Sequence, residues 1–285
     1  MNAVTLEREA APVRAVASAA APAPYRPAER AGNAVELLGI RVNDVSATGV
    51  LEYMDSAIRG GRQAVIFHAN AFAANLAGRH AWMRDALRGA QMVFCDGDGI
   101  RWGCRILGIA VPPKVTYARW LPLVGDWCAK DGHSIYFLGG RPGVAEQAAR
   151  RYQGQHPGIR IAGTHHGYFA KSGPETDAVV AEINRARPDI VLVCFGMPVQ
   201  ERWVHDNAAR MAAHVFLTGG AALDYAAGVA SFTPPWMIRY ELEWLYRLWR
   251  EPRRLFTRYV VGNPEFLLRV FAERAKRLFR KEARS

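Results

Sequence analysis

Four side chains far apart in the chain, Asn70, Asp96, Gln200 and Asp224, carry groups suited to handling hydroxyls. Amides donate and accept hydrogen bonds at once, and a carboxylate can take the proton from an attacking hydroxyl. Asp96 stands out because the apolar run Met92-Val93-Phe94-Cys95 stops abruptly at Asp96-Gly97-Asp98-Gly99. Its carboxylate has two readings, a proton acceptor at a sheet edge or a cap on the following helix, and the local sequence leaves both open. Asp96 and Asp98 also spell D-x-D, a pattern that can chelate a divalent cation, but without further ligands nearby no metal is assigned. Gly139-Gly140-Arg141-Pro142-Gly143 and Gly219-Gly220 fall between strand and helix patterns, where glycine lets the backbone approach phosphate, ribose or base. Tight turns are the competing explanation. Neither stretch is a dinucleotide fingerprint or a P-loop, so no nicotinamide or other bound cofactor is expected. His165-His166, in a Gly-Tyr loop without H-x-x-x-H spacing, reads as structural.

These groups need a scaffold that gathers them, and the apolar runs supply one. Segments 64–70, 92–96, 134–140, 190–196 and 215–220 are nearly continuous in apolar residues, and each ends in Gly, Asn or Asp. Such runs are what strands covered on both faces look like. A further short strand is read at 159–162. Helical spacing is read at 47–58, 72–88, 101–107, 117–130, 144–152, 175–185 and 201–211. Strands alternating with helices imply an α/β fold with a mostly parallel, doubly wound sheet, which brings strand-end residues to one edge.

Residues 1–33, rich in Ala, Pro and Arg, read as a disordered tail and 34–233 as the α/β domain. Residues 234–285 read as a basic helical appendage. From Trp236 onward there are 13 Lys and Arg against 6 Asp and Glu, a net of +7 out of the chain's +11. Within 236–250, Trp236, Tyr240, Trp244 and Leu248 fall on one helical face. Guanidinium groups bind diphosphates, and basic aromatic helices lie on anionic membranes, so either task fits, with a merely solvated face as the alternative. No apolar run is long enough to span a bilayer, and the first residues lack the apolar core of a secretory signal. The four cysteines, widely spaced, are expected as reduced thiols in a cytoplasmic protein. Charge alone also admits a non-catalytic binder of anionic lipid or nucleic acid.

Taken together, the ordered motifs resemble the WecG/TagA/CpsF glycosyltransferases from about residue 35 to 268. The matching pieces include Asp96-Gly97, Leu138-Gly139-Gly140-Arg141-Pro142-Gly143, Gly163-Thr164-His165-His166-Gly167-Tyr168-Phe169 and Gly196-Met197-Pro198-Val199-Gln200-Glu201. Gly219-Gly220-Ala221-Ala222-Leu223-Asp224, Glu243-Trp244-Leu245-Tyr246-Arg247 and Glu251-Pro252-Arg253-Arg254 extend the series. The resemblance implies a Rossmann-like, inverting, metal-independent enzyme. It would move sugar from a UDP-sugar to a polyprenyl-diphosphate-linked sugar at the inner face of the membrane, without nucleic acid as a partner. It makes Asp96 the general base, with Asn70 and Gln200 as catalytic amides and Asp224 on the nucleotide side. Arg247, Arg254 and Arg258 would close over the diphosphate. His68 stands where such proteins commonly have Thr, and Thr116 opens a stretch, Thr116-Tyr117-Ala118-Arg119, that departs from their Thr-Gly-Ser-Asp. Both positions are expected to touch substrate sugar, so the donor is as readily a UDP-hexose of exopolysaccharide assembly as UDP-N-acetylmannosamine.

Overall fold

The computed structural model describes residues 26–282 apart from 232, with no side chain described at 118, 235, 254, 281 or 282. Most of the expected tail, 1–25, lies outside the described residues. The first half of the fold runs β1 (Arg26–Pro27), β2 (Ala34–Leu37), β3 (Ile40–Asn43), α1 (Ala47–Arg59), β4 (Arg62–Ala69), α2 (Ala71–Arg79), α3 (Ala81–Gly89), β5 (Met92–Cys95), α4 (Asp98–Leu107) and α5 (Tyr117–Asp131). It continues with β6 (Ser134–Gly139), α6 (Val144–Gln155), β7 (Arg160–His165), α7 (Pro174–Ala186), β8 (Ile190–Cys194), α8 (Val199–Asn207), β9 (Val215–Thr218) and α9 (Ala222–Ala226). The C-terminal part comprises α10 (Pro235–Arg239), α11 (Glu243–Arg250), α12 (Pro252–Phe256), a π-helical turn (Thr257–Val261) and α13 (Gly262–Glu282).

The main sheet has seven strands, in the order β5-β4-β9-β8-β6-β7 with β1 also on β4, and every pairing in it is parallel. The antiparallel β2-β3 hairpin stands apart. Alternating side chains leave opposite faces of each strand, so two cores form. Phe67, Val93, Leu138, Val193 and Phe216 pack with α2, α3, α7 and α8. Ile66, Phe94, Phe137, Leu192 and Leu217 pack with α1, α5, α6 and α9. Burial on both faces explains why these strands read as unbroken apolar runs.

Several boundaries differ from the sequence reading. Residues 26–33, whose composition matches the tail, join the fold: Arg26 and Pro27 pair with Arg62 and Gln63, and Ala28 and Ala31 are buried. The single helix read over 72–88 is two, broken at His80, whose backbone is extended at φ −127° and ψ 117°. Apolar spacing continues across that break, so periodicity could not see it. The amphipathic stretch 236–250 is also broken. Glu241 adopts φ +60°, and the Leu242 N–H donates to the Met237 carbonyl at 2.8 Å, which ends α10 in a left-handed turn. Trp236 and Trp244 therefore sit on different helices. The last helix, α13, packs on α2 and α4 and contributes Phe266 and Val270 to the core, which fastens the appendage to the sheet domain.

Candidate active site

Because all strands of the main sheet run parallel, their carboxyl ends share one edge, where open α/β sheets bind ligands. The β4-β5 register pairs Ala69 with Cys95 and so sets Asn70 beside Asp96, with the Asp96 N–H donating to the Ala69 carbonyl at 2.8 Å. Gly97 at φ +124° then turns the chain into α4. Two cavities open on this edge. The larger, of about 880 Å³, is walled by Gly140, Gly196, Gly219, Gly220 and Asp224 and covered by Glu243, Tyr246, Arg247, Arg250 and Arg258 of the appendage. The smaller, of about 430 Å³, is lined by Asn70, Gly97, Trp102, Trp244, Tyr259, Val260 and Phe266. Both are bounded by Asp96, Thr116, Phe72, Glu243, Arg247 and Arg258, so the Asp96 carboxylate, about a quarter exposed, lies where they meet.

The four dispersed polar residues do converge, though not with equivalent duties. Asn70 accepts from the Ala73 N–H at 3.0 Å and caps α2, while lining the smaller cavity. Gln200 is fully buried and its amide is engaged within the protein. Its oxygen accepts from the Gly196 and Gly220 N–H groups at 3.1 and 2.9 Å, and its nitrogen donates to Glu201 at 2.7 Å. It borders the larger cavity and holds the glycine turns after β8 and β9 together. Gly139, unlike Gly140, does not line the larger cavity. Its φ of +146° and a collision between any Cβ and the Cys194 carbonyl make it a requirement of β6-β8 packing. Gly140 and Gly220, at φ +71° and +59°, do face the larger cavity.

Asp98 is not available to a D-x-D pair, because Lys114 donates to its carboxylate at 2.7 Å and Arg101 at 3.4 Å. Among the described residues no cluster of three or more His, Cys, Asp or Glu side chains is placed to hold a metal. The expected diphosphate arginines are in part accounted for. Arg247 reaches both cavities and its buried Nε has no hydrogen-bond partner. Burial works against its charge, but Tyr259, Tyr225, Asp96 and Glu243 hold it protonated above the usual arginine value. Arg258 lies over the Phe72 ring at 4.9 Å, and the side chain of Arg254 lies outside the described residues.

Three groups at the site escaped the sequence reading. Glu243 sits one helical turn before Arg247, and burial and the nearby Asp96 push its carboxyl up against the pull of Arg247 and Lys114. The i, i+4 spacing of Glu and Arg in the E-W-L-Y-R motif was the available signal. Lys171 lies 3.8 Å over the Phe169 ring and donates to the Gly167 and Phe169 carbonyls, folding the loop after β7 around its ammonium group. Glu201 is fully buried beside Gln200. His165, the last residue of β7, meets the His166 carbonyl and the His166 and Phe169 rings, and His166 accepts from the Tyr168 N–H.

A sequence model of the glycosyl transferase WecG/TagA/CpsF family matches residues 35–280. The chain is similar, at 28% identity over 66% of its length and 72% of the relative's, to N-acetylglucosaminyldiphosphoundecaprenol N-acetyl-beta-D-mannosaminyltransferase of Bacillus subtilis (strain 168). The protein of that name in Staphylococcus aureus (strain MRSA252) is 27% identical over 80% of this chain and 90% of its own. A UDP-Gal:alpha-D-GlcNAc-diphosphoundecaprenol beta-1,4-galactosyltransferase of Shigella boydii is 28% identical over 57% and 68%. These matches set aside a non-catalytic basic binder. Matched by the family model from residue 35 to 280, the chain belongs to the WecG/TagA/CpsF family and is a glycosyltransferase.

Proposed function

We propose that the enzyme transfers a sugar, with inversion, from a UDP-sugar to a saccharide carried on polyprenyl diphosphate. Asp96 takes the proton of the attacking acceptor hydroxyl as its oxygen bonds to the anomeric carbon. Arg247 and Arg258, joined by Arg254, receive the charge of the departing UDP. The observation that carries this reading is the position of Asp96 at the junction of two cavities. One is walled by glycine turns and cationic side chains, as a nucleotide diphosphate requires; the other is lined by Trp102, Trp244, Val260 and Phe266, as a lipid-linked acceptor requires. Asp98 is bound by Lys114 and Arg101, which supports transfer without a divalent cation at D-x-D. The relatives' names share an N-acetylglucosamine-diphosphoundecaprenol acceptor and differ in the sugar moved. The donor here is accordingly a UDP-hexose or UDP-N-acetylmannosamine.

The enzyme works peripherally on the inner face of the membrane. No helix among the described residues is long and apolar enough to cross a membrane, while Trp236 and Trp249 are 59% and 73% exposed. Exposed Arg239, Arg250 and Arg253 stand among these aromatics, a combination suited to an anionic surface. The test is a panel of UDP-sugars with a short-chain lipid-diphosphate N-acetylglucosamine acceptor, run with EDTA. Transfer from one donor is expected, and its loss in Asp96→Asn without loss of UDP binding. Near-normal turnover by Asp96→Asn would overturn the assignment of the base.

A further inference from the structure

His68, one residue before the end of β4, is 5% exposed, yet it borders the larger cavity beside Asp96. Nδ1 lies 2.9 Å from the Thr218 carbonyl oxygen. A carbonyl only accepts, so the ring proton sits on Nδ1, and Nε2 of the neutral ring presents a bare lone pair. The Tyr117 hydroxyl donates to the same carbonyl at 2.6 Å, and the rings of Phe94 and Tyr117 flank the imidazole at 6.0 and 5.6 Å. The orientation is thereby fixed from three elements. Nε2 faces Asp96 Oδ2 at 3.8 Å, so whenever the ring is neutral and the carboxylate ionised two acceptors confront each other. A hydroxyl oxygen at ordinary hydrogen-bond distance, about 2.7 Å, can touch both atoms across such a gap.

We propose that His68 Nε2 is the final acceptor of the proton removed from the acceptor hydroxyl, with Asp96 as the first stop. The inference rests on Asp96 acting as the base. The acceptor O–H bond breaks, and its oxygen pair forms the bond to the anomeric carbon. The bond from that carbon to the UDP oxygen breaks, and its electron pair leaves on UDP. The proton passes from Asp96 Oδ2 to Nε2 through a water molecule bridging the 3.8 Å gap, leaving an ionised carboxylate and an imidazolium, which returns the proton to solvent after product leaves. By residue type an imidazole is a stronger base than a carboxylate, which gives the second step its direction. The other groups facing the ring are the Glu201 carboxyl from α8, which interacts electrostatically with His68, and the Tyr117 hydroxyl from α5. The imidazolium would gain from Glu201 as well as Asp96.

The test compares the pH dependence of kcat/KM in the wild type and in His68→Asn, which keeps a donor for Thr218 but nothing that titrates. The donor is whichever of UDP-galactose and UDP-N-acetylmannosamine is turned over. The acid limb is expected to move to lower pH in His68→Asn, with kcat down about 10- to 100-fold and donor KM little changed. An unmoved limb overturns the relay. If Asp96→Asn proves inactive while the His68→Asn limb stays put, only the relay falls; an active Asp96→Asn removes the base assignment beneath it. Should His68→Asn fail to fold, or no donor be turned over, imidazole ¹⁵N shifts of the wild type decide. A proton on Nδ1 at alkaline pH supports the relay, and one on Nε2 overturns it.

Discussion

At the scale of single residues, burial has opposite consequences for two ionisable groups, Glu201 and Arg247. Burial pushes the Glu201 carboxyl above its ordinary value, opposed by His68 and by the hydrogen bond from Gln200. The folded state therefore holds this proton more tightly than the unfolded chain. Its contribution to stability is complete below the unfolded-state value and is lost as pH rises toward the folded-state value. Glu201→Gln keeps an oxygen for Gln200 and removes the titration. It should melt higher than the wild type at pH 8, while the gain disappears near pH 4, as thermal denaturation at the two pH values would show. Arg247 is charged and keeps a buried, unpartnered Nε at the shared wall of the cavities. A hydrogen bond to a charged group contributes about 1.5–3 kcal/mol, so Arg247→Ala should weaken UDP binding at least about tenfold by calorimetry. Arg247→Lys should recover little, because an ammonium lacks the planar fork.

Among the elements, α13 decides whether the appendage stays over the site. Phe266 is 1% exposed and packs near Leu37 and Gly103, tying α13 to α4 and the β2-β3 hairpin. Arg101 and Trp102 of α4 also reach Glu241, the latter donating from its indole nitrogen at 2.8 Å. Phe266→Ala should cost about 3–5 kcal/mol in chemical denaturation and Met54→Ala, in the core on the opposite face, about 2–5. Only Phe266→Ala should also reduce UDP affinity under conditions where both proteins remain folded, since Met54 lies in α1, outside the appendage contacts. Equal losses of affinity would show that the cover does not depend on α13.

For the whole molecule, charge and aromatics are concentrated in the C-terminal part, whose Tyr246, Arg247, Arg250 and Arg258 also line the larger cavity. The +7 from Trp236 onward accompanies exposed Trp236, Trp249 and Phe256. Binding to vesicles containing anionic lipid should fall when Trp236→Gln and Trp249→Gln are combined, and should weaken as salt rises because part of the attraction is screened. Flotation assays at low and high ionic strength would measure both effects; unchanged flotation of the double variant would place the membrane contact elsewhere. Removing everything from Pro234 onward is a poorer experiment, because it would uncover the seats of Phe266 and Val270.

The sequence by itself determined the parallel α/β scaffold, the edge to which Asn70, Asp96 and the glycine turns belong, and the basic character of the appendage. Those features are written in local composition: apolar runs fit strands buried on both faces, and glycine ends them where the backbone must turn. Only the tertiary structure decided what each polar group does. Gln200 turned inward to Gly196 and Gly220, Asp98 was taken by Lys114, and the tautomer of His68 was set by Thr218, 150 residues away. The break after α10 and the docking of α13 through Phe266 were equally hidden. A hydrogen bond or a buried contact depends on which distant segment arrives opposite a side chain, and spacing along the chain carries no record of that arrival.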